Sequence, residues 1–287
     1  MIDEKKPNNI FLNENGYCLV KNVFSSEEIT KLRKFVLDNH HKNQDIYLSD
    51  TKDLLKSNFL SDKFFNILKE TIGEELLYFL DSSTFIDKIQ KKTGIFHIDA
   101  RGDEEDPITT EYKVWRIGFY LQDHKNNSGG IKMIEKSHKK LLTNSIKKIY
   151  YALKKFSKKN YKLKSLIPTF KYINIPSEAG DMIIWNGRTH HCGRFKRLKN
   201  FEKFNLHPLL DRYLPDFLVR EETQDRLVIF QNWALKHSSA TNYINYRINQ
   251  KSDESYWLNN KTRYKNFPKD IFDKNNILIE NHSYLEK

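Results

Sequence analysis

YKVWRIGFYLQ, residues 112 to 122, is the most strand-like run in the chain, and the fold turns on how it is read. Aromatic and β-branched residues crowd into it, the types that suit a pleated, packed surface. Similar short runs lie on either side, with turn signals between them. TFIDKIQ (84–90) and GIFHID (94–99) precede it, set apart by the acidic loop RGDEEDPITTE. After the polar turn HKNNSGG come GIKMIE (130–135), KYINI (171–175), DMIIW (181–185), HHCGRF (190–195) and DRLVIFQNWAL (225–235). Eight strand candidates in one run predict a mainly β fold, an antiparallel jelly roll of the cupin-like kind, with helical additions.

Nearer the N-terminus, NGYCLVKNVF alternates like a further strand behind a short tail. SSEEITKLRKFVLDNH carries a helix-start signature: Ser25 or Ser26 as N-cap, acidic residues in the first turn, apolar residues three to four apart. KFFNILKETIGEELLYFL predicts one or two more helices. No repeat or low-complexity linker divides the chain, so residues 1–287 read as one domain: a helical part over about 1–80, a barrel core over 84–235 and a polar extension over 236–287. The tail after Tyr243 is rich in Asn and Lys, and the sequence assigns it no role.

A hydrophobic fraction of 38% with 13% aromatics supports a packed core rather than wholesale disorder. No apolar run reaches the length that crosses a bilayer. The start, MIDEKKPNN, is polar and leads into no signal-peptide core, so a cytoplasmic location is expected. Cys18 and Cys192 have no partners at disulfide or metal spacing and are expected as buried thiols. The formal charge of +12 suits an anionic or nucleotide-linked small molecule, or a merely solvated surface. Lysines are densest between Lys132 and Lys164, and residues 139–164 read as a basic amphipathic helix with Ile146, Ile149, Tyr150, Leu153 and Phe156 on its apolar side.

One strand candidate carries more than a core needs. In GIFHID, His97 and Asp99 are two apart, so an extended backbone points both to one face. Alone this pair fits a salt bridge, an exposed coincidence or two-thirds of a metal site. A 2-His-1-carboxylate facial triad needs one more histidine from a distant strand and leaves open positions on Fe(II). GDMIIWNGRTHHCG, well downstream, offers a Gly-Asp turn, an apolar strand and the adjacent His190 and His191.

Four segments together resemble the phytanoyl-CoA dioxygenase (PhyH-like) family within the Fe(II)/2-oxoglutarate-dependent dioxygenases: NGYCLVKNVFSSEEITKLR, HID, YLQDHKNNSGGIKMIEKSHKK and GDMIIWNGRTHHCG. They span most of residues 15 to 235. The resemblance implies Fe(II) held by His97, Asp99 and a distal histidine, which is His191 after the Arg188-Thr189 element, with His190 as the alternative. It also implies 2-oxoglutarate as co-substrate, O2 as oxidant, and an arginine on the last barrel strand for the far carboxylate, since a planar guanidinium matches a carboxylate in two parallel bonds. A long insertion after His191 departs from the family pattern; Arg226 is the best match, with Arg194 and Arg197 as rivals and a surface ion pair to Asp225 or Glu222 as the plain reading.

The implied activity is hydroxylation of a C–H bond in a small metabolite, with release of succinate and CO2. Related halogenases replace the carboxylate with a small residue, so Asp99 argues for hydroxylation or another oxidative outcome such as desaturation. Two other readings stand beside it: a non-catalytic jelly-roll module that binds a metal or ligand, and a nucleic-acid-modifying oxygenase. The second lacks a recognisable nucleic-acid motif or a stacking pattern of aromatics among its lysines. Ser137 and His138 occupy the family's Ser-His loop, but Glu135-Lys136 replaces its Pro-Gly, so a local structural role is expected. Tyr120, Gln122 and Trp185 could line a cavity or belong to the core, and His124, His207 and His237 read as ordinary histidines. Substrate identity and oligomeric state are not legible.

Overall fold

The computed structural model describes residues 7–39, 58–79, 83–87, 97–99, 111–124, 128–139, 172–193, 196–199, 214–220, 226–249 and 269–279. Helix α1 (Asn8–Asn15) leads into strand β1 (Tyr17–Val20), and helix α2 (Ser26–Asn39) follows. Next come helix α3 (Asp62–Ile72), β2 (Leu76–Tyr78), β3 (Ser83–Asp87) and β4 (Val114–Tyr120). Strands β5 (Ile131–Ile134), β6 (Tyr172–Asn174), β7 (Met182–Asn186), β8 (His191–Gly193) and β9 (Arg226–Leu235) complete the central run. Helices α4 (Ser238–Asn249) and α5 (Lys269–Lys274) and strand β10 (Leu278–Ile279) end it. The expected basic helix at 139–164 lies almost wholly outside the described residues, as do His207 and Arg194.

Two sheets result. The larger runs β1-β7-β4-β9-β2-β10, with β3 also paired to β9; the smaller runs β6-β5-β8. Every pairing is antiparallel except the parallel one between β10 and β2. Strand β4 lies at the centre, with Ile117 opposite Ile184 of β7 and Gln231 of β9. Its residues divide by parity. Phe119 meets Phe24, Phe59 and Phe64 at ring centroids 5.3, 4.8 and 5.7 Å apart, on the face covered by helices. Arg116, Gly118 and Tyr120 take the other face, in register with Trp185 and with Asn232, Phe230 and Val228. The strand is buried on both sides, so its sequence lacks clean polar alternation.

Local chemistry explains most helix ends. Ser25 caps α2 in a reciprocal box: its hydroxyl accepts from the Glu28 amide at 3.2 Å, and the Glu28 carboxylate accepts from the Ser25 amide at 2.7 Å. The Ser61 hydroxyl accepts from the Phe64 amide at the start of α3. Gly16 ends α1 at φ 85°, and an added Cβ would sit 2.3 Å from His138 Nδ1 and 2.6 Å from Thr189 Oγ1. Its carbonyl accepts from Thr189 Oγ1 at 2.7 Å and the Asn186 amide at 2.9 Å. Gly16 thereby ties the N-terminal helix to the turn before His191.

Two sequence expectations need correction, and a segment left without a role gains one. The stretch read as a short tail contains α1, which buries Phe11 against Tyr17 at 5.5 Å between ring centroids. The second half of KFFNILKETIGEELLYFL is strand: Gly73 ends α3, and Leu76–Tyr78 pairs with β9 and β10. A short, fully apolar run does not distinguish a buried strand from a buried helix. The polar C-terminal extension is partly structural, since Phe272 is fully buried between Phe65 and Tyr78, and α4 buries Ala240, Tyr243 and Ile244 against Leu77, Phe79 and Ala234. The expectation for the two cysteines holds, as both thiols are free and buried.

Candidate metal centre and its relatives

The edge of the smaller sheet brings His97 and His191 together. Each donates its backbone amide to the other's carbonyl, at 3.0 and 2.9 Å, so the segment around residue 97 continues the sheet past β8. The two imidazole rings stand 4.4 Å apart. Asp99 joins them, with Oδ2 at 3.5 Å from His191 Nε2 and Oδ1 at 3.9 Å from His97 Nε2. One ligand atom from each of the three lies within 4.8 Å of the others. Among the described residues this is the one cluster of three or more such groups, and it contains His191 rather than His190.

The surroundings fix how these groups present themselves. His191 Nδ1 lies 3.0 Å from the Thr189 carbonyl, which only accepts, so Nδ1 carries the proton and Nε2 keeps its lone pair. That lone pair faces a carboxylate oxygen. Two acceptors aimed at one point repel each other unless a cation sits between them, so this donor set fits a metal. Burial, with the charge of His97, pushes the His190 imidazole down to about 4. Burial likewise lowers His191 to about 4 against the attraction of Asp99, so both are neutral at pH 7. Burial would raise the Asp99 carboxyl, but His191, Arg116 and His97 and the Trp185 hydrogen bond outweigh it and hold it near 2. With His191 neutral at pH 7, Arg116 and Trp185 keep the carboxylate ionised there.

Trp185 is a contact the sequence did not reveal. Its indole Nε1–H donates to Asp99 Oδ2 at 2.9 Å, and its ring lies 5.2 Å from that of His191. It occupies one lone pair of the carboxylate and aims the rest. Trp185→Phe is expected to keep the fold and weaken metal binding by about tenfold, as loss of an outer-shell partner typically does. Titration with Ni(II) followed by calorimetry checks this, and unchanged affinity would mean that the indole does no aiming.

Arg226 opens β9 and is 5% exposed; Asp225 and Glu222, the partners of the plain reading, lie outside the described residues. Its Nε donates to the Gly129 carbonyl at 2.7 Å and its Nη2 to the Tyr120 hydroxyl at 3.4 Å, with the guanidinium 5.2 Å over the Tyr120 ring. The rival Arg197 donates through Nη2 to the His124 carbonyl at 2.9 Å. His124 is buried rather than superficial; its Nε2 lies 3.2 Å from Gln122 Nε2, and burial keeps it neutral with Arg226 and Arg197 nearby. Gln122 Oε1 accepts from the Leu227 amide at 2.8 Å, so this amide braces the root of β9. Ser137 and His138 act locally, as expected. The Ser137 hydroxyl donates to Ile134 and accepts from the His190 amide, and His138 Nε2 donates to the Asn13 carbonyl.

Comparison with known proteins gives this geometry its family. The phytanoyl-CoA dioxygenase (PhyH) family model matches residues 12–194. The chain belongs to that family. A PhyH-family chain is an oxidoreductase, an iron- and 2-oxoglutarate-dependent dioxygenase acting on small molecules. No curated protein matches its sequence. Among solved structures, HygX from Streptomyces hygroscopicus with iron bound is similar at 15% identity and a TM-score of 0.54, over 80% of this chain and 86% of that one. HygX with nickel and 2-oxoglutarate bound matches at 16% identity and a TM-score of 0.53, with the same coverage. The carbocyclase SnoK from nogalamycin biosynthesis matches at 14% and 0.54, over 81% and 84%. At these identities the likeness is one of fold, and the fold of the PhyH chain is sheet-rich and mainly antiparallel. No helix among its described residues is long and apolar enough to cross a membrane.

Proposed function

We propose that His97, Asp99 and His191 hold Fe(II) and that Arg226 receives the far carboxylate of 2-oxoglutarate. The two sheets then form the walls of a jelly roll around them, and the outcome is hydroxylation of a C–H bond in a small metabolite. The carrying observation is the triad itself: two imidazoles and one carboxylate, from segments far apart in sequence, with ligand atoms within 4.8 Å. With iron and 2-oxoglutarate bound, the site would supply oxidative decarboxylation to succinate and CO2 coupled to oxidation of the substrate. The chain's own contribution is positional. Thr189 fixes the tautomer of His191, Trp185 aims Asp99, and Gly129 with Tyr120 presets the Arg226 guanidinium.

The exposed His97 opens one side of the cluster to solvent while His191 is buried, so small molecules have an approach from the side of residue 97. Succinate release with Fe(II), 2-oxoglutarate and a library of candidate metabolites tests the reading. The expected result is a low rate with iron and 2-oxoglutarate alone, raised by the right metabolite, with a product heavier by one oxygen atom in mass spectrometry. A product lacking that oxygen would keep the oxygenase class and discard hydroxylation. Iron-independent succinate release, or none under any condition, would discard the reading.

A further inference from the structure

Arg116 is a charged residue in the middle of the central buried strand. Its charge helps keep Asp99 ionised, but its hydrogen-bond donors have no use in the proposed chemistry. It lies on the inner face of β4, opposite Trp185 of β7 and Asn232 of β9, in the sheet row that carries the partner of Asp99. Its guanidinium carbon stands 4.8 Å over the half-buried Phe230 ring, and its charge acts on Asp99, His191 and Tyr120. It therefore stands on the sheet face that carries Trp185 and Phe230, within electrostatic reach of Asp99 and His191. Yet it makes no hydrogen bond or close ion pair with any described residue. A guanidinium has five donors, and in a half-buried site each undonated group carries a desolvation cost.

Gly118, two positions along the same face, lets two rings close in on the strand: an added Cβ would sit 3.2 Å from the Trp185 ring and 3.3 Å from the Phe230 ring. Those two rings meet edge to face, 6.2 Å apart, and floor the face beside Arg116. Charge favours the same conclusion. Among the described residues, a ferrous ion with Arg116 and Arg226 would stand against Asp99 with three formal positive charges left over, and the two carboxylates of 2-oxoglutarate would cancel two. Uncompensated charge of this kind is costly unless a partner arrives.

We propose that Arg116 is the specificity-determining residue that receives the carboxylate of a monoanionic carboxylic acid substrate, the apolar body of that acid lying on Phe230. The proposal rests on the reading of the iron and 2-oxoglutarate sites above. A carboxylate suits the fork of Arg116 in bidentate geometry, and a single negative charge suits the charge left over. Arg226 is a separate anchor, tied down at Gly129, so the two arginines divide the two acids between them.

The test uses the full chain loaded with Ni(II) and 2-oxoglutarate, with benzoate and its neutral isostere benzamide as probes in calorimetry. Benzoate is expected to bind at least about tenfold more tightly than benzamide, the scale of a hydrogen bond to a charged partner. In Arg116→Met that preference should vanish, and Arg116→Lys should keep part of it as a point charge. Equal binding of the two probes to the wild-type chain would overturn the proposal without any variant. So would a preference that survives in Arg116→Met. Failure of the underlying reading appears earlier and separately, as a wild-type chain that takes up no 2-oxoglutarate with the metal.

Discussion

Asp99→Ala is expected to abolish coupled succinate release and to weaken metal binding by at least about 3 kcal/mol, roughly 100-fold, the scale on which loss of one partner leaves a buried charge uncompensated. The reason lies in the composition of the site. Of the three groups that converge, Asp99 alone is anionic at pH 7, since His191 titrates near 4. Without it a divalent cation would meet two imidazoles and the positive Arg116, whose charge at present acts on the carboxylate. The variant should still fold. Asp99 is half-buried and lies on no long strand, and its removal leaves one indole N–H to find water. An unaltered circular dichroism spectrum together with lost nickel binding and lost turnover is the expected pair of results. Full coupled turnover in the variant would remove Asp99 from the metal and take the His-x-Asp reading with it.

That pair of residues was legible because a strand imposes parity. His97 and Asp99, two apart, had to share a face, and the adjacent His190 and His191 could not. The sheet-rich architecture was legible for a similar reason: YKVWRIGFYLQ and DRLVIFQNWAL are too rich in aromatic and β-branched residues for anything but buried strands, and they pair along seven residues. What stayed hidden was whatever depends on packing across the fold. Nothing in LLYFL distinguishes a helix from a strand until β9 and β10 lie on either side of it. The Trp185–Asp99 bond joins positions 86 apart, and no local pattern announces it. Arg116 did leave a trace, a lone charge inside an apolar strand, but its meaning needed the register that sets Trp185 and Asn232 beside it. The tail after Tyr243 was given no role because its composition is polar on average, yet its Phe272 packs between Phe65 and Tyr78.

Removing the other anchor separates the two arginines. Arg226→Leu is expected to raise the KM for 2-oxoglutarate by about 100-fold, within the 2–5 kcal/mol that truncating one partner of a buried charged pair costs. The arginine sits at the first residue of β9, where its Nε is already held by Gly129, so binding need not order a long, free side chain. The same contact predicts a smaller loss of stability, about 1–3 kcal/mol, because the Gly129 carbonyl loses its donor in a buried place. Thermal melting measures that part separately. Arg226→Lys keeps the charge but not the planar fork and should fall between the two. Arg197→Leu is the discriminating control. Its guanidinium is engaged with the His124 carbonyl, so its loss should leave the KM for 2-oxoglutarate unchanged. If instead Arg197→Leu raised that KM and Arg226→Leu did not, Arg197 would be the co-substrate anchor, and the division of acids between Arg226 and Arg116 would fail with it.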